Sequence, residues 1–399
     1  MAFHTIQFAI FLIVTLSVSW ALMRARMLRL VFLLLASWFF YMNSKMEYIG
    51  LILASTCVDY VCGLRIFSAP TQRQKKAWLT LSLSVNLGML GTFKYYDWLL
   101  DSFRTVALQL NMISPDYALP FLEAALPVGI SFYTFQTMAY SIDVYRGHQE
   151  PVRNFWTFSL FVTFFPQLVA GPIVLATHML PQFERPPKVT KQQVSDGVFL
   201  IMKGLVKKLA IADFLALNLI DRVYDNPGLY SSGEVLLALY AYSMQIYCDF
   251  SGYTDLAIGT AKLFGYELPE NFNRPYQAES VAKFWRRWHI TLSTWVRHYI
   301  YFPLGGTHKG ELRAYLNVMA ALVIMGIWHG ANWTFFWYGV IHGLVVGMNR
   351  YHNQKRKRLG TPYELRGLKL VWRVLLTLTF VSLARILFRG QDLSQCWRI

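Results

Sequence analysis

Charge is what this 399-residue sequence has least of: 15% of its residues are charged against 55% hydrophobic, too little polar cover for a soluble domain of this size. No long polar block separates the apolar runs that recur from Phe8 to Phe388. That argues against a string of soluble domains and for one integral membrane domain over residues 1–399. The N-terminus lacks both the basic residues ahead of its apolar core and the small-residue cleavage site behind it that mark a signal peptide, so it is expected to remain as a first crossing. The four cysteines, Cys57, Cys62, Cys248 and Cys396, contain no C-x-x-C pair, which indicates neither zinc nor a disulfide framework. There is no H-E-x-x-H metal motif and no G-x-S-x-G serine elbow.

Positive charge is present, at +16 net, and its placement matters more than its sum. Arg24, Arg26 and Arg29 follow the first apolar run, Arg65, Arg73, Lys75 and Lys76 the third, and Arg350 with Lys355 to Arg358 a late one. Short basic loops between apolar runs follow the positive-inside rule and do not make a nucleic-acid surface, so no nucleic-acid partner is expected. With those loops cytoplasmic, the N-terminus and the acidic loop from Asp97 to Asp116 face the other side.

Stretches near 5–23, 28–42, 47–66, 77–96, 124–145, 154–176, 197–220, 233–265, 314–349 and 371–388 are apolar enough to cross a bilayer, some of them broken or paired. An all-α, polytopic protein with about ten to twelve crossings is expected. Pro166, Gly171 and Pro172 are expected to interrupt one run, and Gly252 and Gly259 another. Broken helices survive in a membrane only where protein or water covers the freed backbone groups, so the second half is expected to enclose a cavity.

Between Arg313 and Arg350 there is no Asp, Glu, Lys or Arg, yet the run contains IWHGANW. With both basic ends cytoplasmic it must be a hairpin, with arms of roughly 16 residues or about 24 Å, short of a bilayer core of about 30 Å. Gly326 and Gly330 flank Trp328 and His329 and are expected to supply the break, which places His329 within membrane depth. An imidazole kept there is either a helix-packing residue bonded to a carbonyl or a working group, and histidine is the commonest general base. Trp328 and Asn332, in the same break, become candidates for contact with substrate. His342, in the regular GVIHG stretch, reads as a packing residue.

Two further segments are polar in apolar surroundings. In KFWRRWHITLSTW, residues Trp285, Arg286, Arg287 and Trp288 suit an amphipathic helix at the cytoplasmic interface, in contact with membrane lipid; alternatively Arg286 and Arg287 hold the phosphates of a coenzyme while His289 points inward as a second catalytic group. In MQIYCDFSGYTDLAIG, residues Gln245, Asp249 and Asp255 either bond around a helix break at Ser251 and Gly252 or line a polar passage bearing substrate. Histidine-assisted direct transfer is the economical chemistry for this set. A transporter or flippase, or a non-catalytic scaffold, is the rival reading.

LPVGISFYTFQTMAYSIDVYRG, FFPQLVAGPI, QIYCDFSGYTDLAIG, PENFNRPYQAESVAKFWRRWHITLSTW, YFPLGG and WHGANWTFFWYG, running in order from about residue 126 to 343, resemble the membrane-bound O-acyltransferase family, in the branch that includes alginate O-acetylation subunits. Proteins that transfer D-alanine to teichoic acids share the two histidine regions more loosely. The resemblance implies a funnel-shaped helical enzyme of the bacterial inner membrane, with His329 essential and His289 in the site. It implies acetyl-CoA as donor, an extracytoplasmic polysaccharide as acceptor, and a periplasmic acetyltransferase or esterase-like partner; with no metal-ligand spacing in the sequence, no bound metal or cofactor is expected. Two positions depart from the branch: His298 stands where Asp is usual, and Leu175 where a basic residue follows AGPIV. The chain also ends soon after LFRG, earlier than many relatives, so either the final crossings are missing or the chain is truncated there.

Overall fold

The computed structural model describes residues 1–43, 45–114, 117–169, 171–360 and 366–398. Asp116 of the expected acidic loop and Ala170 of FFPQLVAGPI lie outside them. Among the described residues all regular structure is helical. In chain order the α-helices are α1 (Ile6–Ala21), α2 (Arg26–Met42), α3 (Ile49–Ser68), α4 (Gln72–Leu90), α5 (Tyr96–Gln109), α6 (Ile130–Arg146), α7 (Phe155–Thr163), α8 (Phe165–Leu168), α9 (Ala176–Glu184) and α10 (Lys191–Leu205). There follow α11 (Asp221–Asp225), α12 (Ser232–Leu263), α13 (Val281–Trp285), α14 (Ile290–Val296), α15 (Glu311–His329), α16 (Trp333–Arg358), α17 (Leu368–Ala384), α18 (Ile386–Arg389) and α19 (Leu393–Arg398).

Among the described residues three helical stretches, Met46–Ser68, Glu311–His329 and Leu368–Arg389, are long and apolar enough to cross a membrane by themselves. Large apolar side chains such as Phe199, Leu316, Leu368 and Trp372 are exposed, as a lipid-facing surface requires. The expected loop from Asp97 is instead mostly helix: α4 runs through a π-helical turn, Gly91–Tyr95, into α5. The apolar count overlooked this because Asp97 and Asp101 sit on that helix. Asp97 accepts hydrogen bonds from the backbone N–H groups of Leu122 and Glu123 at 2.7 and 3.1 Å and so holds the irregular strap after it.

The chain divides into two compact units, Met1–Phe199 with Ala257–Leu268, and Leu200–Leu256 with Pro269–Ile399. In the first, α3, α4 and α6 pack through a buried polar knot. Asp59 accepts from Ser82, from Asn86 Nδ2 at 2.7 Å and from Ser141 Oγ at 3.0 Å. Pro166 and Pro172 bring the expected interruption, with α7, α8 and α9 as short separate pieces.

The glycine break expected in the run 233–265 is overturned. Gly252 and Gly259 lie inside α12, an unbroken 32-residue helix. A Cβ at Gly252 would sit 2.9 Å from the carbonyl oxygen of Gly204, so the glycine serves close helix packing. The hairpin from Arg313 to Arg350 is present as α15 and α16. Its first arm has 19 residues, about 28 Å, longer than expected because the helix takes in Glu311 to Arg313. Gly326 does not break it. A Cβ there would meet the Phe335 carbonyl oxygen at 2.4 Å and the Gly339 Cα at 3.0 Å, so Gly326 lets the two arms touch, and the chain turns at Gly330 to Asn332.

Candidate active site

All the residues that follow belong to the second unit. His329 is the last residue of α15 and half-buried. Trp328, 7% exposed, packs edge-on between two imidazoles, its ring 5.0 Å from that of His329 and 6.0 Å from that of His289. The two histidines that the sequence separates by forty positions thus share one aromatic wall. Phe250 of α12 closes the other side of His289 at 4.7 Å, and Phe388 of α18 meets His329 at 5.1 Å.

The continuous amphipathic helix expected around Trp285 to Trp288 is not formed. α13 stops at Trp285, and Trp285 and Trp288 are 7% and 6% exposed, so both rings are core residues. His289 takes a left-handed backbone conformation, φ 43° and ψ 58°. Such a conformation is uncommon outside glycine and persists only where the surroundings enforce it.

The enforcing residue is Asn271, fully buried and not singled out from the sequence. Its side-chain Oδ1 faces His289 Nδ1 at 3.2 Å and accepts from Thr291 Oγ1 at 2.7 Å, while its backbone oxygen accepts from Ile290 N at 2.9 Å. An amide oxygen can only accept, so Nδ1 carries the proton and Nε2 the lone pair. Burial, and then the positive form of His329, hold the His289 imidazolium well below the ordinary histidine range. His289 lies in the link between α13 and α14, outside the spanning helices, and is a neutral ring.

The other candidates divide. Asn332 caps α16, its Oδ1 accepting from Thr334 N at 2.9 Å and its Nδ2 donating to Gln391 O at 2.7 Å; its side chain is committed to local structure. Asp249 and Asp255 do not bond around a helix break. Lys208 meets Asp249 at 2.6 Å and Lys207 meets Asp255 at 2.6 Å, with Lys203 at 3.3 Å, so both carboxylates are ion-paired across to α10 and its π-helical continuation. Gln245 has a buried side-chain oxygen without a hydrogen-bond partner among the described residues. His342 is fully buried, and its Nδ1 accepts from Trp285 Nε1 at 3.2 Å, in keeping with a packing role. His298 lies in a π-helical turn against Phe302.

Arg286 and Arg287 face different hollows. Arg286 lines two neighbouring cavities that also share Lys357, of about 480 and 500 Å³. The first has an apolar wall, including Leu322 and Met325, and a basic mouth with Arg297 and Arg350. Met325 is one turn before His329 on the same face of α15. The second is basic, with Lys283, Arg356 and Arg373. Arg287 instead lines a groove beside Leu370 and Leu375 of α17. An apolar slot with a cationic entrance suits a ligand with a phosphorylated head and a slender uncharged arm.

Residues 134–358 match the family model for membrane-bound O-acyltransferases. The chain is 38% identical over 377 residues to a probable alginate O-acetylase of Azotobacter vinelandii, covering 93% of this chain and 72% of the relative. It is 36% identical over 396 residues to the peptidoglycan O-acetyltransferase of Helicobacter pylori, at 92% and 72% coverage. A teichoic acid D-alanyltransferase of Bacillus subtilis matches at 27% over 279 residues, 66% of this chain and 69% of that one. With its paired histidines inside the matched span and its apolar helices around them, the chain belongs to the membrane-bound O-acyltransferase family and is an O-acyltransferase.

Proposed function

We propose that the protein moves an acetyl group from a cytoplasmic thioester, acetyl-CoA, to a hydroxyl of an extracytoplasmic polysaccharide, directly or by way of a periplasmic acetyltransferase or esterase-like partner. The setting is the bacterial inner membrane, crossed about ten to twelve times around a funnel. The observation that carries the reading is the half-buried His329, one turn beyond the apolar cavity wall and beside the buried, oriented His289.

In the proposed reaction His329 takes the proton of the acceptor hydroxyl as its oxygen attacks the thioester carbonyl carbon. The tetrahedral adduct collapses with cleavage of the C–S bond, and the thiolate leaves with the proton from His329. General-base help of this kind is worth about 10² to 10⁴-fold. His289 orients a reacting group from behind Trp328, with Gln245 and Trp328 lining the way to the acceptor. Arg286, with Lys357, binds the donor phosphates, whereas Arg287 lines a different groove. An acetyl donor is favoured over a D-alanyl donor because the acetylases align over 93% of the chain and the D-alanyltransferase over 66%.

The test is transfer of labelled acetyl from acetyl-CoA to polysaccharide in proteoliposomes that also hold the partner. Wild-type protein gives labelled polymer, and His329→Ala, inserted and folded to the same level, gives it at least about 10²-fold more slowly. Labelling by His329→Ala at a rate near that of wild type would refute the assignment of the base.

A further inference from the structure

Arg385 is 2% exposed at the junction of α17 and α18, with no carboxylate beside it among the described residues. Burying a cation costs several kcal/mol unless its surroundings compensate. Here the compensation is specific. Nη1 donates to the Tyr276 hydroxyl at 2.5 Å and to the Ser243 carbonyl oxygen at 3.3 Å, and the same hydroxyl donates to that carbonyl. The guanidinium lies 4.6 Å from the Trp288 ring centre and 5.4 Å from that of Tyr276. A lysine offers a point charge and no flat face, so it could not make this set.

Each contact leads to a histidine. Trp288 is bonded through the backbone to His289, and Tyr276 anchors the same segment. On the other side, Phe388 N donates to Arg385 O at 3.0 Å, and the Phe388 ring packs on His329. Arg29, in the first unit, is a buried arginine with a similar set of partners: it donates to Ser19, to the Tyr266 hydroxyl and to the Phe264 carbonyl, lies 5.2 Å from the Tyr266 ring centre, and ties α2 to them.

We propose that Arg385 is a positioning residue that fixes His289 and His329 relative to each other, by clamping the Tyr276–Trp288 segment with its side chain and the Phe388 turn with its backbone. It acts through these aromatic residues and touches no reacting atom. The inference rests on the acyl-transfer reading for its kinetic consequence, whereas its structural consequence can be read without any turnover.

Full-length Arg385→Lys and Arg385→Met, in proteoliposomes, are compared with wild type for thiol release from acetyl-CoA. Displacement on the scale of an ångström costs about 10² in rate, so kcat should fall about 10 to 100-fold while KM for acetyl-CoA stays within about threefold and the melting temperature holds. Tyr276→Phe, which keeps the stacked rings and removes the bridge, should give a smaller fall in kcat. Alongside, diethyl pyrocarbonate labelling with mass spectrometry reads the histidines directly: His289 is protected in wild type and becomes labelled in Arg385→Met. Wild-type kcat in the folded variants, or loss of activity only in proportion to unfolded protein, overturns the proposal, as does unchanged protection of His289. Absence of thiol release from wild-type protein would count against the acyl-transfer reading alone, since the labelling result stands by itself.

Discussion

Two buried polar clusters in this protein use similar parts for opposite ends. In the first unit, Asp59 is surrounded by donors from two other helices, and Asn86 continues the knot by accepting from Ser55 at 2.8 Å and Thr137 at 3.1 Å. Its members, Ser55, Asp59, Ser82, Asn86, Thr137 and Ser141, are all fully buried. In the second unit, His289 is just as buried and is held by Asn271, but its neighbour His329 is half-buried. The first arrangement spends its polarity on fastening helices. The second holds one imidazole rigidly near another that is only half-buried, the arrangement that the proposed acyl transfer needs.

The sharpest way to break that contrast is to remove the proposed base. His329→Ala is expected to lower kcat by about 10² to 10⁴-fold with an unchanged melting temperature, measured by acetyl transfer and by thermal unfolding of the same preparation. Asn271→Ala should follow, at about 10 to 100-fold in kcat, because His289 loses its tautomer and its anchor together; single-turnover kinetics would read it, and wild-type rates would show that the bracket is idle. Reversing charge at the cavity mouth, Arg286→Glu, should raise KM for acetyl-CoA about tenfold or more and leave kcat nearly alone. An unchanged KM would place the donor elsewhere.

Asp59→Ala should do the reverse of His329→Ala. Three lost bonds at about 0.6 kcal/mol each in a membrane amount to about 2 kcal/mol, seen as a lower melting temperature, with kcat per folded molecule preserved. The smallest effect is expected from Asp249→Asn. Its carboxylate side chain is 36% exposed and paired with Lys208, and such pairs contribute about 0.2–1 kcal/mol, so activity should stay within about twofold. A large loss of activity there would restore Asp249 to the site.

Much of the site was legible because it is made of exceptions. His329 stands out in a run without charges, and the basic ends of that run imply a hairpin, which α15 and α16 form. His289 stands out beside paired arginines. Asn271 did not, because an asparagine in PENFNRPY has no period to violate and acquires meaning only when Thr291 and His289, 20 and 18 residues later, return to its side chain. Arg385 was hidden for the same reason, since Tyr276 is 109 positions away. Gly252, Gly259 and Gly326 were misread as breaks because sequence reports a glycine's freedom and is silent about the neighbour that its missing Cβ admits.

The sequence by itself determined that the chain is helical and apolar, where its basic ends lie, and which two histidines interrupt apolar surroundings. Those are local properties, set by the periodicity and solvation cost of each segment. Only the tertiary structure decided that Asp249 and Asp255 belong to lysines, that Arg286 and Arg287 face different hollows, and that Trp328 stands between His289 and His329. Hydrogen bonds, ion pairs and ring contacts act over a few ångströms, and the residues that come within that range here are tens to more than a hundred positions apart in the chain.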